Sequence, residues 1–373
     1  MPTLAVIGGG QLARMMHAPA TALGVKLQVL VEAADGSAGR AIPDSIVGMP
    51  KDDAAVQAVC AGADAVTFEH EHIPPSLFAA AGVEARPAQE ALLYARNKLE
   101  MRRKLTEIGV PCPRWAQVTG PADFERFWAS VGGGEVVAKT AVGGYDGKGV
   151  AIVSSYAQIE AWVNDPACGG VLLEEKVDFQ RELAALVARR PSGQCVAWPV
   201  VETQQVGGVC DTVIAPAPEL SEELAQQGEE IARQIATELG VTGVLAVEMF
   251  QAGQRLLVNE LAMRPHNSGH WTIDGCATSQ FEQHIRATLD LPLGPTEMTA
   301  PVSVMVNILG SDVPDPASHL AQVWESYPQA KVHLYGKEVR PGRKLGHVNA
   351  TGSDLAQALQ AARAAANLIM GRK

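Results

Sequence analysis

Two apolar runs in the last third of the chain constrain its fold more than any other feature. Residues 244–250 and 256–261 are largely apolar and flank a turn at Gly253, a pattern that predicts a β-hairpin. Each run contains one carboxylate, Glu248 in the first and Glu260 in the second. Their apolar surroundings make these two side chains candidates for a functional site.

The register of the hairpin decides what the two glutamates can do. If the loop holds an odd number of residues, Glu248 lies opposite Val258, and Glu260 points to the same face of the sheet; a two-residue turn places the carboxylates on opposite faces. Two carboxylates on one apolar face repel each other, because burial and like charge both disfavour the ionised pair. A hard divalent cation relieves this repulsion, and Asn259 offers a neutral oxygen ligand. Two surface glutamates are the alternative.

A polar run follows the hairpin directly. It contains Arg264, His266, Asn267, Ser268 and His270. Polar residues at this density are not expected in a hydrophobic core. We therefore expect the run to be a functional loop beside the two glutamates, with an ordinary polar surface loop as the alternative.

The composition excludes several classes of function. A net charge of −11 over 373 residues argues against a nonspecific nucleic-acid binder, which needs a basic surface. No apolar run reaches the roughly 18 residues of a membrane span, and no signal-peptide pattern opens the chain. The cysteines form no Cys-x-x-Cys pair, which favours free thiols. We expect a soluble, cytoplasmic protein of two or three domains that binds neither nucleic acid nor membrane.

The N-terminus has the pattern of a strand, a glycine turn and a helix. Residues 3–7 are apolar, the turn runs from Gly8 to Ala13, and residues 12–23 are helix-like. The N-terminus of such a helix can hold an anion. The next strand ends at Glu32, about where a dinucleotide-binding fold places its ribose-binding acid. A nicotinamide site, a site for another phosphate ligand and a plain tight turn all remain open.

A further strand over residues 65–68 ends in Glu69, His70, Glu71 and His72. Ligands of open α/β sheets sit at the carboxyl ends of strands, so Glu69 is a candidate contact. The spacing of the two histidines suits no particular metal, and a solvated loop is the favoured interpretation for them.

One long helix is predicted over residues 89–108, after the first domain closes near Arg86-Pro87. Its basic residues are expected mostly to form a solvated face, and they are Arg96, Lys98, Arg102, Arg103 and Lys104. Lys98 is the exception and is expected to have a functional role.

A glycine-rich loop joins two predicted strands, residues 135–139 and 150–154. It lacks the spacing of a P-loop, and no helix follows it. Its glycines allow backbone amides to approach phosphate oxygens and allow the loop to move as a lid. Lys139 and Lys148 supply positive charge. Phosphate binding is the prediction, and a flexible hairpin tip is the alternative.

Two later segments complete the pattern. A strand over residues 171–173 runs into a connector, Glu174 to Val177, that can offer backbone groups to a nucleobase, although two surface glutamates are the plain alternative. A helix is predicted over residues 221–239.

A basic cluster stands out in the C-terminal section, between strand 331–335 and a terminal helix over residues 353–370. It consists of Lys337, Arg340, Arg343 and Lys344. Such a cluster either solubilises a loop or binds an anion, and Pro341 and Gly342 favour anion binding because they fix the backbone.

Taken together, the glycine loop, the strand-end lysine, the connector and the hairpin ending in Asn259-Glu260 resemble the ATP-grasp fold. The segments GGGQLARMM, GGYDGKG, NELAMRPHNSGHWT and KEVRPGRKLGH are similar to motifs of the N5-carboxyaminoimidazole ribonucleotide synthetase family, in the same order and over essentially the whole chain. The resemblance implies an α/β fold, α+β in part. Its expected divisions are an N-terminal Rossmann-like parallel-sheet domain over 1–97, a small mobile lid domain over 98–180, a large ATP-grasp domain over 181–300 and a C-terminal α+β domain over 301–373.

The resemblance also implies an activity, the ATP- and bicarbonate-dependent carboxylation of 5-aminoimidazole ribonucleotide in purine biosynthesis. It implies an ATP-dependent carbon–nitrogen ligase that passes through carboxyphosphate. ATP is the co-substrate, Mg²⁺ is the cation with Mn²⁺ as an alternative, no biotin is involved, and the assembly is a homodimer.

Matching positions in the motifs imply the site residues. The implied ATP contacts are Lys98, Lys139, Gly144, Tyr145, Asp146, Gly147, Lys148, Gly149, Val150, Glu174, Glu175, Lys176, Val177, Glu182, Gln205, Asn259 and Glu260, with Glu248 and Glu260 on the metal. The implied ribonucleotide contacts are Gly10, Gln11, Leu12, Glu69, Lys337, Arg340, Arg343 and Lys344. The implied catalytic residues are Asp146, Tyr145, Arg264, His266, Asn267 and Lys344, of which Asp146 contacts the amine and takes its proton.

The chain departs from the usual family pattern at Ala13, His70, His72, Gln205 and Met263. The alternatives are another ATP-grasp ligase, such as a formate-dependent glycinamide ribonucleotide transformylase, a nicotinamide-dependent oxidoreductase, and a nucleotide sensor without turnover.

Overall fold

The computed structural model describes residues 1–144 and 149–372. The strands are β1 Thr3–Ile7, β2 Lys26–Val31, β3 Ser45–Val47, β4 Ala65–Phe68, β5 Trp115–Val118, β6 Val136–Thr140, β7 Val150–Val153, β8 Val171–Glu175, β9 Arg181–Arg189, β10 Cys195–Ala197, β11 Val201–Val206, β12 Val209–Ala215, β13 Gly243–Ala252, β14 Arg255–Ala262, β15 Val302–Leu309, β16 Lys331–Leu334 and β17 Lys344–Gly352. The α-helices are α1 Gln11–Ala22, α2 Asp53–Cys60, α3 Pro75–Ala81, α4 Gln89–Arg96, α5 Lys98–Glu107, α6 Pro121–Ser130, α7 Glu160–Asn164, α8 Glu222–Glu238, α9 Thr272–Gly275, α10 Gln280–Thr288, α11 Leu320–Ser326 and α12 Leu355–Met370. No described helix combines the length and apolar character needed to cross a membrane.

The N-terminal sheet is parallel, with strand order β3-β2-β1-β4. The predicted βα unit is confirmed, since β1 passes through the glycine turn into α1. Gly9 has to be a glycine, because an added Cβ would lie 2.7 Å from the Val31 side chain. The carboxyl ends of β1 and β4 therefore lie beside the N-terminus of α1.

The single helix predicted over residues 89–108 is wrong. Asn97 has an extended backbone, ends α4 and begins α5. Its side-chain oxygen accepts hydrogen bonds from the amides of Leu99 and Glu100, at 3.0 and 3.2 Å. This cap satisfies amides that a new helix leaves without partners, so the chain changes direction just before Lys98.

A small antiparallel sheet, β5-β8-β6-β7, carries the glycine loop between β6 and β7. Helix α6 and the apolar face of this sheet form a separate core around Phe124 and Phe127. The predicted glycine-loop residues Tyr145, Asp146, Gly147 and Lys148 lie outside the described residues.

The largest sheet has the order β14-β13-β9-β11-β12-β15-β17-β16, with β10 paired to β9. One face of β9 and β13 packs on α8, and the other packs around Trp198 and Trp271. Strands β12 and β15 are hydrogen-bonded antiparallel partners, so the sheet continues across residue 300. The domain limits predicted from the sequence stay predictions.

The hairpin has the two-residue turn that was expected to separate the two carboxylates, yet both carboxylates share one face. Ala252 pairs with Arg255, which leaves a two-residue turn. A bulge then places Asn259 as an extra residue, because Met249 pairs with Val258 while Glu248 pairs with Glu260. The bulge shifts the alternation by one residue and returns the two glutamates to the same side.

Candidate active site

One face of the large sheet carries four of the residues implied as ATP or metal contacts. Glu248 and Glu260 are register partners. Glu182 pairs with Phe250, two residues from Glu248, and so lies on the same face. Gln205 hydrogen-bonds the Glu182 carboxylate. The sheet thus brings together residues that are distant in the sequence.

The two hairpin carboxylates titrate differently. Burial and the negative charge of Glu260 raise the pKa of Glu248 to about 8. Burial also opposes ionisation of Glu260, but the Lys98 ammonium group, 2.5 Å away, outweighs it and lowers the pKa of Glu260. The side chains remain 30% and 42% exposed, so a ligand can reach both carboxylates.

The two carboxylates fit a divalent cation. Like charge and burial make Glu248 hard to ionise alone, and a cation between the carboxylates removes that cost. No group of three or more His, Cys, Asp and Glu in residues 1–144 and 149–372 forms a metal site. Mg²⁺ suits such a partial site, since it is usually bound by one or two carboxylates together with water and substrate phosphates.

Two lysines from outside the hairpin reach it. The Nζ of Lys98, at the start of α5, contacts Glu260. The Nζ of Lys139, at the end of β6, lies 2.8 Å from Asn259 Oδ1 and 2.7 Å from Glu174 Oε2. The structure therefore joins the small sheet to the hairpin through charged groups that a nucleotide phosphate can also contact.

Arg102 was predicted on a solvated face, and that prediction is wrong. Its side chain is 0% exposed. Its Nε lies 2.5 Å from Glu174 Oε1, and its second guanidinium nitrogen donates to the Asn259 carbonyl at 2.8 Å. Arg102 thus fixes the bulge that brings the two hairpin glutamates together. Burial opposes ionisation of Glu174, but Arg102 and Lys139 outweigh it and lower its pKa.

The connector after β8 directs its side chains away from the hairpin. Glu175 pairs with Arg114 at 2.8 Å, and Lys176 pairs with Glu135 at 2.5 Å. The Glu174 carboxylate is bound in the interior by Arg102 and Lys139, and the Glu175 amide donates to the Arg114 carbonyl at 2.9 Å. A backbone contact between this connector and a nucleobase stays a prediction. Gly144, Gly149 and the exposed Val150 mark the described ends of the glycine loop.

The loop after the hairpin places two basic groups beside Glu248. The Arg264 guanidinium is held by Glu71, whose carboxylate lies 3.0 Å from Arg264 Nε and also accepts from the Met263 amide. His266 Nε2 lies 3.5 Å from Glu248 Oε1. Burial, with the Arg264 charge, lowers the pKa of His266 well below its usual range, so the ring is neutral. Sequence reasoning missed Glu71, whose only signal was its place in the run that follows β4.

The polar run was predicted to be too dense for a core, and this is wrong for two of its members. Ser268 and His270 are buried. Ser268 Oγ lies 2.8 Å from His266 Nδ1, and His270 Nδ1 lies 2.8 Å from the Gln280 amide. These hydrogen bonds supply the partners that buried polar groups generally require. Asn267 begins the short 3₁₀ helix Asn267–Gly269, which contains Ser268 and ends just before His270.

The glycine turn at the start of α1 holds a carboxylate. Glu69 accepts hydrogen bonds from the amides of Gly10 and Leu12, the latter at 2.8 Å. Burial raises its pKa despite these bonds. Lys337 donates to the Gln11 side chain and so connects the basic cluster to the turn. This places Glu69, Gln11 and Lys337 at one location, as the resemblance implied.

The other members of the basic cluster are arranged differently. Arg340 pairs with Glu338 at 2.7 Å and is 66% exposed. Arg343 donates to the Glu338 carbonyl. Lys344 begins β17 opposite Leu309, and its charge helps to lower the pKa of His266. Of the histidines after β4, His72 is exposed as predicted, whereas His70 is half-buried.

Family models match in three consecutive parts of the chain. The ribonucleotide synthetase preATP-grasp domain matches residues 1–95, the ATP-grasp domain matches residues 103–281, and the phosphoribosylaminoimidazole carboxylase C-terminal domain matches residues 303–361.

Known proteins are similar over nearly the full length. The N5-carboxyaminoimidazole ribonucleotide synthase of Mycobacterium tuberculosis is 50% identical over 375 residues, covering 98% of this chain and 87% of that protein. The crystal structure of the synthetase from Thermus thermophilus superposes with a TM-score of 0.87 at 35% identity, covering 99% of each chain. A synthase from Aspergillus clavatus, in complex with ADP and 5-aminoimidazole ribonucleotide, gives a TM-score of 0.87 at 31% identity and covers 99% of this chain and 98% of that one. The chain belongs to the N5-carboxyaminoimidazole ribonucleotide synthase family of ATP-grasp ligases.

Proposed function

We propose that the chain carboxylates 5-aminoimidazole ribonucleotide on its exocyclic amine, consuming ATP and bicarbonate and releasing ADP and phosphate. One observation carries this proposal. The acidic face with Glu182, Glu248 and Glu260 lies beside the Arg264–His266 loop, in a chain whose family is defined by this reaction. The Lys337–Gln11 contact adds a separate position suited to a phosphorylated substrate.

The reaction divides into two steps. A bicarbonate oxygen attacks the γ-phosphorus of ATP, an O–P bond forms, and ADP leaves with the former bridging oxygen. The resulting carboxyphosphate then delivers CO₂ to the amine: a C–N bond forms, phosphate leaves, and the amine proton passes to a base. Activation is needed because bicarbonate is a poor electrophile and an amine conjugated to an imidazole is a poor nucleophile.

The ATP site is assigned to groups around the hairpin. We assign Lys98 and Lys139 to phosphate oxygens, because both ammonium groups reach the hairpin. We assign Glu182 and Gln205, which are hydrogen-bonded to each other, to the ribose hydroxyls. When bound, Mg²⁺ would neutralise negative charge that develops on the phosphates during transfer. Glu248 and Glu260 would hold it.

Bicarbonate is assigned to the loop after β14. Arg264 supplies a positive charge at a fixed position, because its Nε donates a hydrogen bond to the Glu71 carboxylate. The neutral ring of His266 and the Asn267 amide can orient the anion without adding charge. Asp146 is proposed as the base for the amine proton, with Tyr145 beside it. The ribonucleotide phosphate is assigned to Gln11, Lys337, Arg343 and Lys344, with a minor part for Arg340, whose exposed guanidinium is paired with Glu338. Cytoplasmic location and a homodimer remain predictions.

The test is ADP release with Mg-ATP while bicarbonate and 5-aminoimidazole ribonucleotide are omitted in turn. We expect rapid release only when both are present, and no replacement of bicarbonate by formate. Asp146→Asn should bind ATP normally but lose carboxylation, whereas Asp178→Asn, at an exposed position, should behave as wild type. Release that ignores both substrates would overturn the assignment.

A further inference from the structure

Gln280 joins the proposed bicarbonate loop to the scaffold behind it. The side chain belongs to the first turn of α10 and is 0% exposed. Its Oε1 accepts from the His266 amide at 2.8 Å, and its Nε2 donates to the His266 carbonyl at 2.8 Å. The same Nε2 lies 2.8 Å from His270 Nδ1. One amide therefore binds both backbone polar groups of His266 and the ring of His270.

Both hydrogens of the Gln280 side-chain amide have an acceptor. A glutamine amide has two N–H donors, and here they go to the His266 carbonyl and to His270 Nδ1. His270 can accept because burial lowers its pKa to about 3 and keeps the ring neutral. The Gln280 side chain thus pairs both backbone polar groups of His266, as buried backbone groups generally require.

The backbone of the His266–His270 turn is tightly packed. A Cβ added to Gly269 would lie 2.4 Å from Gln280 Oε1 and 2.3 Å from Leu186 Cδ2. The hydroxyl of Thr272 donates to the Gly269 carbonyl at 2.6 Å and accepts from the backbone N–H of Gln280 at 2.9 Å. The backbone of His266 sets the position of its ring, whose Nε2 lies 3.5 Å from Glu248 Oε1.

We propose that Gln280 is a positioning residue for the bicarbonate subsite, holding the His266–His270 turn so that the His266 ring faces Glu248. The proposal rests on the assignment of bicarbonate to Arg264, His266 and Asn267. Gln280 itself does not touch the substrate. Its loss should therefore displace His266 without removing any group that contacts ATP or the ribonucleotide.

The chain contains a matched control one helical turn further along. Gln283 is also 0% exposed on α10, and its amide binds both backbone groups of Gly294, at 2.9 Å to the nitrogen and 2.7 Å to the oxygen. Gly294 lies in a segment that carries none of the proposed substrate contacts. Each glutamine side chain thus binds the backbone nitrogen and carbonyl of one residue, and removing either amide breaks such a pair of hydrogen bonds. Of these two residues, His266 belongs to the proposed bicarbonate loop and Gly294 does not.

The experiment compares Gln280→Met with Gln283→Met in the full-length protein, measuring kcat, the KM values for bicarbonate, ATP and the ribonucleotide, and the melting temperature. We expect both variants to melt at lower temperature. Because a misplacement of about 1 Å can cost on the order of 100-fold in rate, we expect Gln280→Met to lose roughly 10- to 100-fold in kcat/KM for bicarbonate. The KM for ATP should stay within about twofold, and Gln283→Met should stay within about twofold on every kinetic constant.

Two results would overturn the proposal. One is equal kinetic loss in the two variants, which would mean that only stability matters. The other is an unchanged kcat/KM for bicarbonate in Gln280→Met. If Gln280→Met does not fold, Gln280→Glu, which keeps the acceptor for the His266 amide, is measured against Gln283→Glu with the same two criteria. Wild-type protein without any bicarbonate dependence would instead overturn the proposed function, and this inference with it.

Discussion

Glu248 and Glu260 are register partners across the β13–β14 hairpin only because Asn259 bulges out of β14. The bulge is held from outside the hairpin, by Arg102 on its carbonyl and Lys139 on its side chain. The pair of carboxylates thus depends on contacts from helix α5 and from the small sheet.

Replacing Glu260 by Gln should raise the Mg²⁺ concentration needed for half-maximal activity. Mutation of residues that hydrogen-bond to metal ligands commonly lowers metal affinity about 10- to 100-fold. Loss of a proposed ligand should therefore lower the affinity for Mg²⁺ at least about 10-fold. The measurement is a Mg²⁺ titration of ADP release at saturating ATP. Glu238→Gln, at an exposed position on α8, is the control. An unchanged titration in Glu260→Gln would argue against the metal assignment.

The affinity for Mg²⁺ should rise with pH and level off near the pKa of Glu248, which is about 8 in the free protein. A ligating carboxylate must be ionised, so a proton competes with the cation below that pKa and does not compete above it. Calorimetric titration of Mg²⁺ with ADP, from about pH 6 to about pH 9, tests this. In Glu260→Gln the plateau should begin at lower pH, because a negative neighbour has been removed. A flat profile across this range in wild type contradicts the account.

Replacing Arg102 by Met should destabilise the protein strongly. Among residues 1–144 and 149–372, Glu174 would keep only Lys139 as a charged partner, and the Asn259 carbonyl would lose the Arg102 donor. Removing one partner of a buried pair typically costs about 3–5 kcal/mol in the free energy of unfolding. Arg103→Met, which breaks an exposed pair with Glu100, should cost less than about 1 kcal/mol. Urea unfolding of both variants measures the difference, and equal values would mean that Arg102 has no special role.

Replacing Lys337 by Met should weaken binding of the ribonucleotide, because this lysine reaches the turn at the start of α1. A charged hydrogen bond is worth about 1.5–3 kcal/mol, so the KM for the ribonucleotide should rise roughly 10- to 100-fold while that for ATP changes little. Arg340→Met is the comparison. Its guanidinium is exposed and paired with Glu338, so we expect an increase below about threefold. Equal effects of the two changes would contradict the placement of the phosphate.

Local patterns predicted most of the elements that position the site. Apolar runs and glycine turns gave β1, α1, β4, β6 and the hairpin strands to within one or two residues. The break at Asn97 was missed because a helical pattern continues on both sides of it, and only the capping geometry separates α4 from α5.

The site residues that sequence reasoning missed act through contacts distant in the chain. Arg102 could have been found, since it lies one helical turn after Lys98 and shares its face with the buried Leu105. The bulge at Asn259 and the clamp of Gln280 on His266 could not, because each is set by the packing of separate elements. A two-residue turn alone would have placed Glu248 and Glu260 on opposite faces.

The central claim is that ATP activates bicarbonate, and labelled oxygen tests it directly. Bicarbonate enriched in ¹⁸O is supplied with Mg-ATP and 5-aminoimidazole ribonucleotide, and the released phosphate is analysed by mass spectrometry. If bicarbonate attacks the γ-phosphorus, one labelled oxygen remains on each phosphate after the C–O bond breaks. Phosphate without label from bicarbonate, formed at the same rate as ADP, would show that water attacks ATP and would contradict the account.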